Sequence, residues 1–142
     1  MRTHFFVTGW LFIIFSSVSL AEVPAADLYT PPSDARHFII ESTGGKHGDS
    51  WSWVAADGSR MGRESMNIRG QVWEMDCKGT PGTEGMPSAM AICGFTPQGD
   101  ATESFSTASG RAQWRSPVDA GGAAYSGHAF YVAQNGPFDT NA

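Results

Sequence analysis

The sequence predicts a mainly β protein, an antiparallel meander forming a curved sheet or half-barrel after a cleavable N-terminal signal peptide. Three observations predict the sheet. Apolar and polar residues alternate over short stretches, turn-forming dipeptides separate those stretches, and no window sustains a 3.6-residue period. Seventeen glycines and eight prolines in 142 residues also favour turns over long helices. A chain of this length is naturally one domain.

The N-terminus carries its own signal. Arg2 gives a positive start, Phe5 to Phe15 (FFVTGWLFIIF) is apolar, and Ser16, Ser17, Ser19 and Ala21 supply small residues before Glu22. That three-part order marks residues 1–21 as a secretory signal peptide. A membrane anchor is the competing reading, but the apolar run is roughly half of the about 20 residues that span a bilayer. Beyond Glu22 no apolar stretch approaches spanning length, and no Cys follows the run to take a lipid. The expected location is therefore the periplasm or the medium, with no membrane contact after cleavage. The net charge of −5 comes with no run of Lys or Arg, so nothing offers nucleic acid a cationic face.

Residues 22–35 form a Pro- and Ala-rich leader containing Pro31-Pro32, expected to be extended because proline fixes φ and lacks a donor. Residues 36–142 are expected to be the antiparallel β domain, incomplete at its C-terminus. Arg36 to Thr43 is the first strand, ending at Gly44-Gly45. Trp51 to Ala55 follows, with Trp51, Trp53 and Ala55 on one side, and Asp57-Gly58 supplies a tight turn. In Ser65 to Lys78, Met66, Ile68 and Gly70 share one parity, whereas Trp73, Met75 and Cys77 share the other. A strand bent or bulged at Gly70 accounts for the flip. Gly79 to Pro87 is a loop, Ser88 to Phe95 a strand, Thr96 to Asp100 a turn and Ala101 to Thr107 a strand. Ser109-Gly110 turns the chain into Arg111 to Arg115. Ala120 to Ala133 is ambiguous between strand and short helix, and its glycines favour the strand.

Cys77 and Cys93 flank the Gly79–Pro87 loop, and a symmetric hairpin through it sets them face to face. A disulfide and a pair of buried thiols are both compatible with that placement, and an exported chain permits oxidation.

Candidate chemistry is sparse. The histidines His4, His37, His47 and His128 show no HxH or HExxH spacing, and no CxxC exists, so neither a metal site nor a bound cofactor is expected in this chain. Gly48-Asp49-Ser50 has the order found around a protease nucleophile, but Trp51 stands where a glycine must form the oxyanion hole. The Gly44 to Gly48 run leads into a Trp-rich strand instead of the helix that a phosphate loop requires, so a flexible hairpin loop is expected there. Glu64, Glu74, Asp76 and Glu103 form no evident catalytic pair, and no catalytic residue is assigned. Trp51, Trp53, Trp73 and Trp114 either line an aromatic pocket for an apolar ligand or make the core, the commoner use in a small domain.

Several segments carry a family resemblance. These are the Asp57-Gly58 hairpin leading into Arg63 to Gly70, Gly94 to Asp100, Glu103-Ser104-Phe105, Gly110 to Asp119, Phe130-Tyr131-Val132 and the Gly136–Thr140 end. With the signal peptide, they resemble the N-terminal β-rich region of exported bacterial amidohydrolases of the imidazolonepropionase-like kind. The resemblance rests on strands and turns and includes no catalytic signature. It implies a hydrolase of carbon–nitrogen bonds whose divalent metals sit in a later (β/α)-barrel, on an HxH pair, further histidines and an Asp. None of those ligands can be placed here, so the implied partner is a missing C-terminal catalytic barrel domain and the chain a fragment. The alternative is a free-standing periplasmic binding module whose curved sheet holds an apolar ligand.

N-terminal sequencing of the exported product should begin at Glu22; a product retaining Met1 or Arg2 would favour the anchor.

Overall fold

A computed structural model describes residues 27–83, 87–127 and 131–135. The expected signal peptide, His4, His128, Phe130 and the Gly136–Thr140 end lie outside the described residues. The described residues form nine antiparallel strands in one curved, unclosed sheet, as the sequence predicts. They are β1 (Arg36–Ser42), β2 (Gly45–Val54), β3 (Arg60–Ile68), β4 (Gln71–Pro81), β5 (Pro87–Thr96), β6 (Gly99–Asp100), β7 (Glu103–Ala108), β8 (Arg111–Arg115) and β9 (Ala120–Ala124). Neighbours in sequence are neighbours in space, except that short β6 pairs only with β5 and lets β7 pair with β5 as well. No described helix is long and apolar enough to cross a membrane.

The turns explain the order. Between β3 and β4 only Arg69 and Gly70 remain, both at positive φ (54° and 82°). This is the two-residue turn whose twist matches paired strands. The bulged single strand expected over Ser65 to Lys78 is therefore corrected to a hairpin. Its parity flip has a simple cause: Met66 pairs with Trp73 and Glu64 with Met75, so even positions before the turn share a face with odd ones after it. Ser109 and Gly110 make the same kind of turn between β7 and β8, at φ 51° and 73°. Asp57 shapes the β2–β3 connection, its Oδ1 accepting the Ser59 N–H at 2.9 Å. The ambiguous Ala120 to Ala133 stretch begins as strand β9.

Cross-strand partners share a face, which sorts the side chains. His37, Trp51, Arg63, Asp76 and Cys93 follow one another across β1 to β5 on the first face. Gly62, Cys77, Ile92 and Glu103 run across β3 to β7 on the second. The buried apolar side chains are mostly on the second face: Met66, Met75, Cys77, Ile92, Phe105 and Ala112. On the first face Met61 is buried, and Leu28 of the leader is buried with it.

Two glycines let neighbouring backbones approach closely. A Cβ on Gly48 would stand 2.2 Å from the Ser65 carbonyl oxygen, so the Gly44 to Gly48 segment is a strand pressed on β3, not a loop beyond its first residues. Gly94, at φ 120°, would place its Cβ 2.0 Å from the Glu74 oxygen and 2.9 Å from Met75 Cα. Gly94→Ala should cost about 3 kcal/mol or more, combining overpacking with positive-φ strain. Gly70→Ala, with open space around it, should cost only about 1 kcal/mol. Urea unfolding of both variants checks this, and equal losses would contradict the close approach at Gly94.

Candidate functional site

The densest polar cluster lies on the first face where β3 and β4 pair. Arg63 stands opposite Asp76 and reaches Glu74, with which it forms a hydrogen-bonded ion pair. Ser65 Oγ donates to the other Glu74 oxygen at 2.6 Å. Asp76 is 2% exposed, its Oδ2 accepts the Tyr29 N–H at 2.5 Å, and Arg63 Nε lies 3.9 Å from its Oδ1. Burial pushes its pKa up, opposed by the Tyr29 N–H and by the Arg63 charge. Tyr29 also meets Trp53 edge-on, with ring centroids 6.4 Å apart. The cluster thus straps the leader to the sheet. Leu28, next to Tyr29 in the leader, is itself buried.

Beside it, Lys46, His47, Asp49, Ser65, Asn67 and Glu74 border a shallow open depression of about 400 Å³. Its charged groups are already paired. Asp49 binds Lys46 Nζ and His37 Nε2, each at 2.7 Å, and the Lys46 contact leads in holding its pKa below the usual range. His47 Nε2 shares a 2.7 Å hydrogen bond with Ser42 Oγ. Ser42 and Asp49 therefore engage different histidines, and no serine–histidine–carboxylate relay results. Ser50 of the Gly48-Asp49-Ser50 run is on the opposite face from Asp49.

The second face repeats the strap. Glu103, 3% exposed, accepts a hydrogen bond from Tyr131 Oη, and its Oε2 accepts the Gln134 N–H at 3.0 Å. The Tyr131 ring stacks on Phe105 with centroids 4.5 Å apart. Burial, followed by the bond to Glu103, pushes the Tyr131 hydroxyl well above its ordinary pKa. Residues 131–135 are thereby fixed against β7. Sequence reasoning noted Asp76 and Glu103 but not this role. The available signal was a carboxylate set inside strands whose neighbours, Met75 and Cys77 or Phe105, are apolar.

The expected aromatic pocket does not assemble. Trp51 and Trp53 are on the first face, whereas Trp73, opposite Met66, and Trp114, opposite Phe105, are on the second. Alternation along paired strands forbids one groove from holding all four. Trp51 stacks on His37 at 5.1 Å, and Trp114 Nε1 donates to Asp119 Oδ2 at 3.0 Å. The face-to-face cysteines are corrected too. Cys77 opposes Ile92 and Cys93 opposes Asp76, one residue off the expected pairing. A one-residue offset puts the sulfurs on opposite faces, and both thiols are free. Burial pushes the Cys77 thiol up to about 11, the character of an inert core sulfur.

Among the described residues no three of His, Cys, Asp and Glu converge, and both described histidines are committed to Asp49 and Ser42.

Comparison with protein-family models, with curated proteins and with solved structures finds no match.

The Asp76 strap has a pH signature. Its folded pKa is raised, so its protonated form favours the fold. That contribution is full below the ordinary carboxyl value of 3.8 and is lost as pH rises through the higher folded value. Asp76→Asn removes the buried charge and keeps an acceptor for the Tyr29 N–H. The stability gap between variant and parent should widen in the variant's favour from pH 3.5 to pH 7. A gap independent of pH in urea titrations would contradict the assignment.

Proposed function

We propose that this β domain is the non-catalytic N-terminal part of a secreted, metal-dependent amidohydrolase, packed against a catalytic barrel on further polypeptide. Two lines support the reading: the strand-and-turn resemblance described above, and the use to which two buried acids, Asp76 and Glu103, are put. The second carries it. A general acid or base must keep an oxygen available to substrate or water. Asp76 and Glu103 instead are buried from solvent, the unbonded Asp76 Oδ1 included, and hold the chain's own segments through the Tyr29 N–H and through Tyr131 and the Gln134 N–H.

In such an enzyme the divalent metal activates water on the barrel, and no step of that chemistry is assigned to a residue of this domain. The work of this chain is structural: it offers a rigid curved shell, closed on each face by a strapped segment. The binding-module alternative loses its expected groove, because its four tryptophans divide between faces.

The purified chain with added Zn²⁺ or Mn²⁺ should hydrolyse no amide or lactam substrate. Mass spectrometry of the native polypeptide that contains the Phe38 to Trp53 segment should find an HxH-bearing barrel in the same molecule. Chelator-sensitive turnover by this chain, or a native polypeptide without such a barrel, would overturn the proposal.

A further inference from the structure

The two outer edges of the sheet are not equivalent. β1 is guarded in the usual ways: a bulge between Ile40 and Glu41 interrupts its register, and Arg36 and Glu41 place charges on it. β9 has neither guard. All five of its residues are exposed, its register with β8 is unbroken, and no described strand pairs with its other side.

The hydrogen-bond alternation shows which groups that edge offers. The Tyr125 N–H donates to the Gly110 carbonyl, and the Ser116 N–H to the Asp119 carbonyl. Odd-numbered positions from 119 to 125 therefore face β8. Ala120, Gly122 and Ala124 then point their N–H and C=O groups outward, as antiparallel pairing requires.

Two cations stand behind that edge. Arg111 pairs with Ala124 and Arg115 with Ala120, so both side chains share the face of Ala120, Gly122 and Ala124. Both are exposed, and neither forms an ion pair among the described residues. The Arg111 guanidinium already leans over β9, with Nη2 3.8 Å from where a Gly122 Cβ would be. On the other face the Trp114 ring lies across Gly121, with Cζ2 2.5 Å from that residue's Cβ position. Small residues on β9 let long β8 side chains from both faces reach toward whatever lies beyond. Two inter-strand spacings, roughly 10 Å, separate β8 from an added strand, a gap that a guanidinium and a glutamate can close from either side.

We infer that β9 accepts an extended acidic segment of a partner protein as a tenth strand. Its main chain pairs with Ala120, Gly122 and Ala124. Carboxylates four residues apart meet Arg111 and Arg115, and the intervening positions place apolar side chains beside Trp114. Backbone pairing supplies affinity, and the alternate side chains supply selectivity. A second copy of this chain is the poorer occupant, because β9 has no acid and β1 has one, Glu41. The inference does not rest on the amidohydrolase reading.

An eight-residue peptide alternating glutamate and valine, titrated into the full chain, tests it by tryptophan fluorescence and hydrogen exchange. Saturable binding should slow exchange at the Ala120, Gly122 and Ala124 amides. A lysine–valine peptide should bind at least about tenfold more weakly, as should the Arg111→Ala/Arg115→Ala variant with the original peptide. Ala124→Pro removes an outward N–H that the fold does not use, so it should abolish binding with an unchanged melting temperature. Equal binding of the two peptides, binding unaffected by the arginine variant, or no protection of the three amides would each overturn the inference. Protection of those amides that rises with protein concentration alone would overturn it in favour of self-association.

Discussion

An open sheet has two faces, and each must be covered; here both covers are tied down through buried carboxylates. A charged oxygen inside a protein is costly unless it accepts hydrogen bonds. Glu103 meets that demand with the Tyr131 hydroxyl and the Gln134 N–H, and Asp76 meets it at Oδ2 with the Tyr29 N–H, while its Oδ1 has only the Arg63 Nε 3.9 Å away. The requirement runs both ways. The acids need donors, and the leader and residues 131–135 need anchors that a few apolar side chains would not give them. Leu28 and Tyr131 then bury apolar surface on opposite sides of the same sheet.

The covers depend on close strand packing beneath them. β3 and β4 are interior strands, joined by the two-residue Arg69–Gly70 turn, and each carries buried side chains on both faces. Gly48 and Gly94 let β2 and β5 press against that pair, where a side chain would strike backbone. Burial falls away toward β1 and β9, which explains why the straps attach to interior strands. The Arg63–Glu74 pair adds a polar layer on the leader side and holds Arg63 beside Asp76.

Much of the fold was legible in the sequence. Alternation and turn dipeptides located most of the strands, and Ser109-Gly110 and Asp57-Gly58 turned the chain where expected. The failures have physical causes. A parity flip is produced by a bulge and by a two-residue turn alike, so Gly70 was misread. The cysteine register differs because the hairpin sets Gly79 opposite Met90 and Cys77 opposite Ile92, one residue from the symmetric pairing, and the loop sequence does not fix its own centre. The division of the tryptophans between faces followed from that same turn at Gly70. The straps were least legible, because the partners are distant: Tyr29 and Asp76 are 47 residues apart and Gln134 and Glu103 are 31.

Native-state hydrogen exchange at the Tyr29 and Gln134 amides tests the central claim most directly. Both lie outside the strands, yet each donates to a buried carboxylate, so both should exchange at rates close to those of the β4 amides. Exchange of either at the rate of an unstructured chain would show that the segment is not strapped.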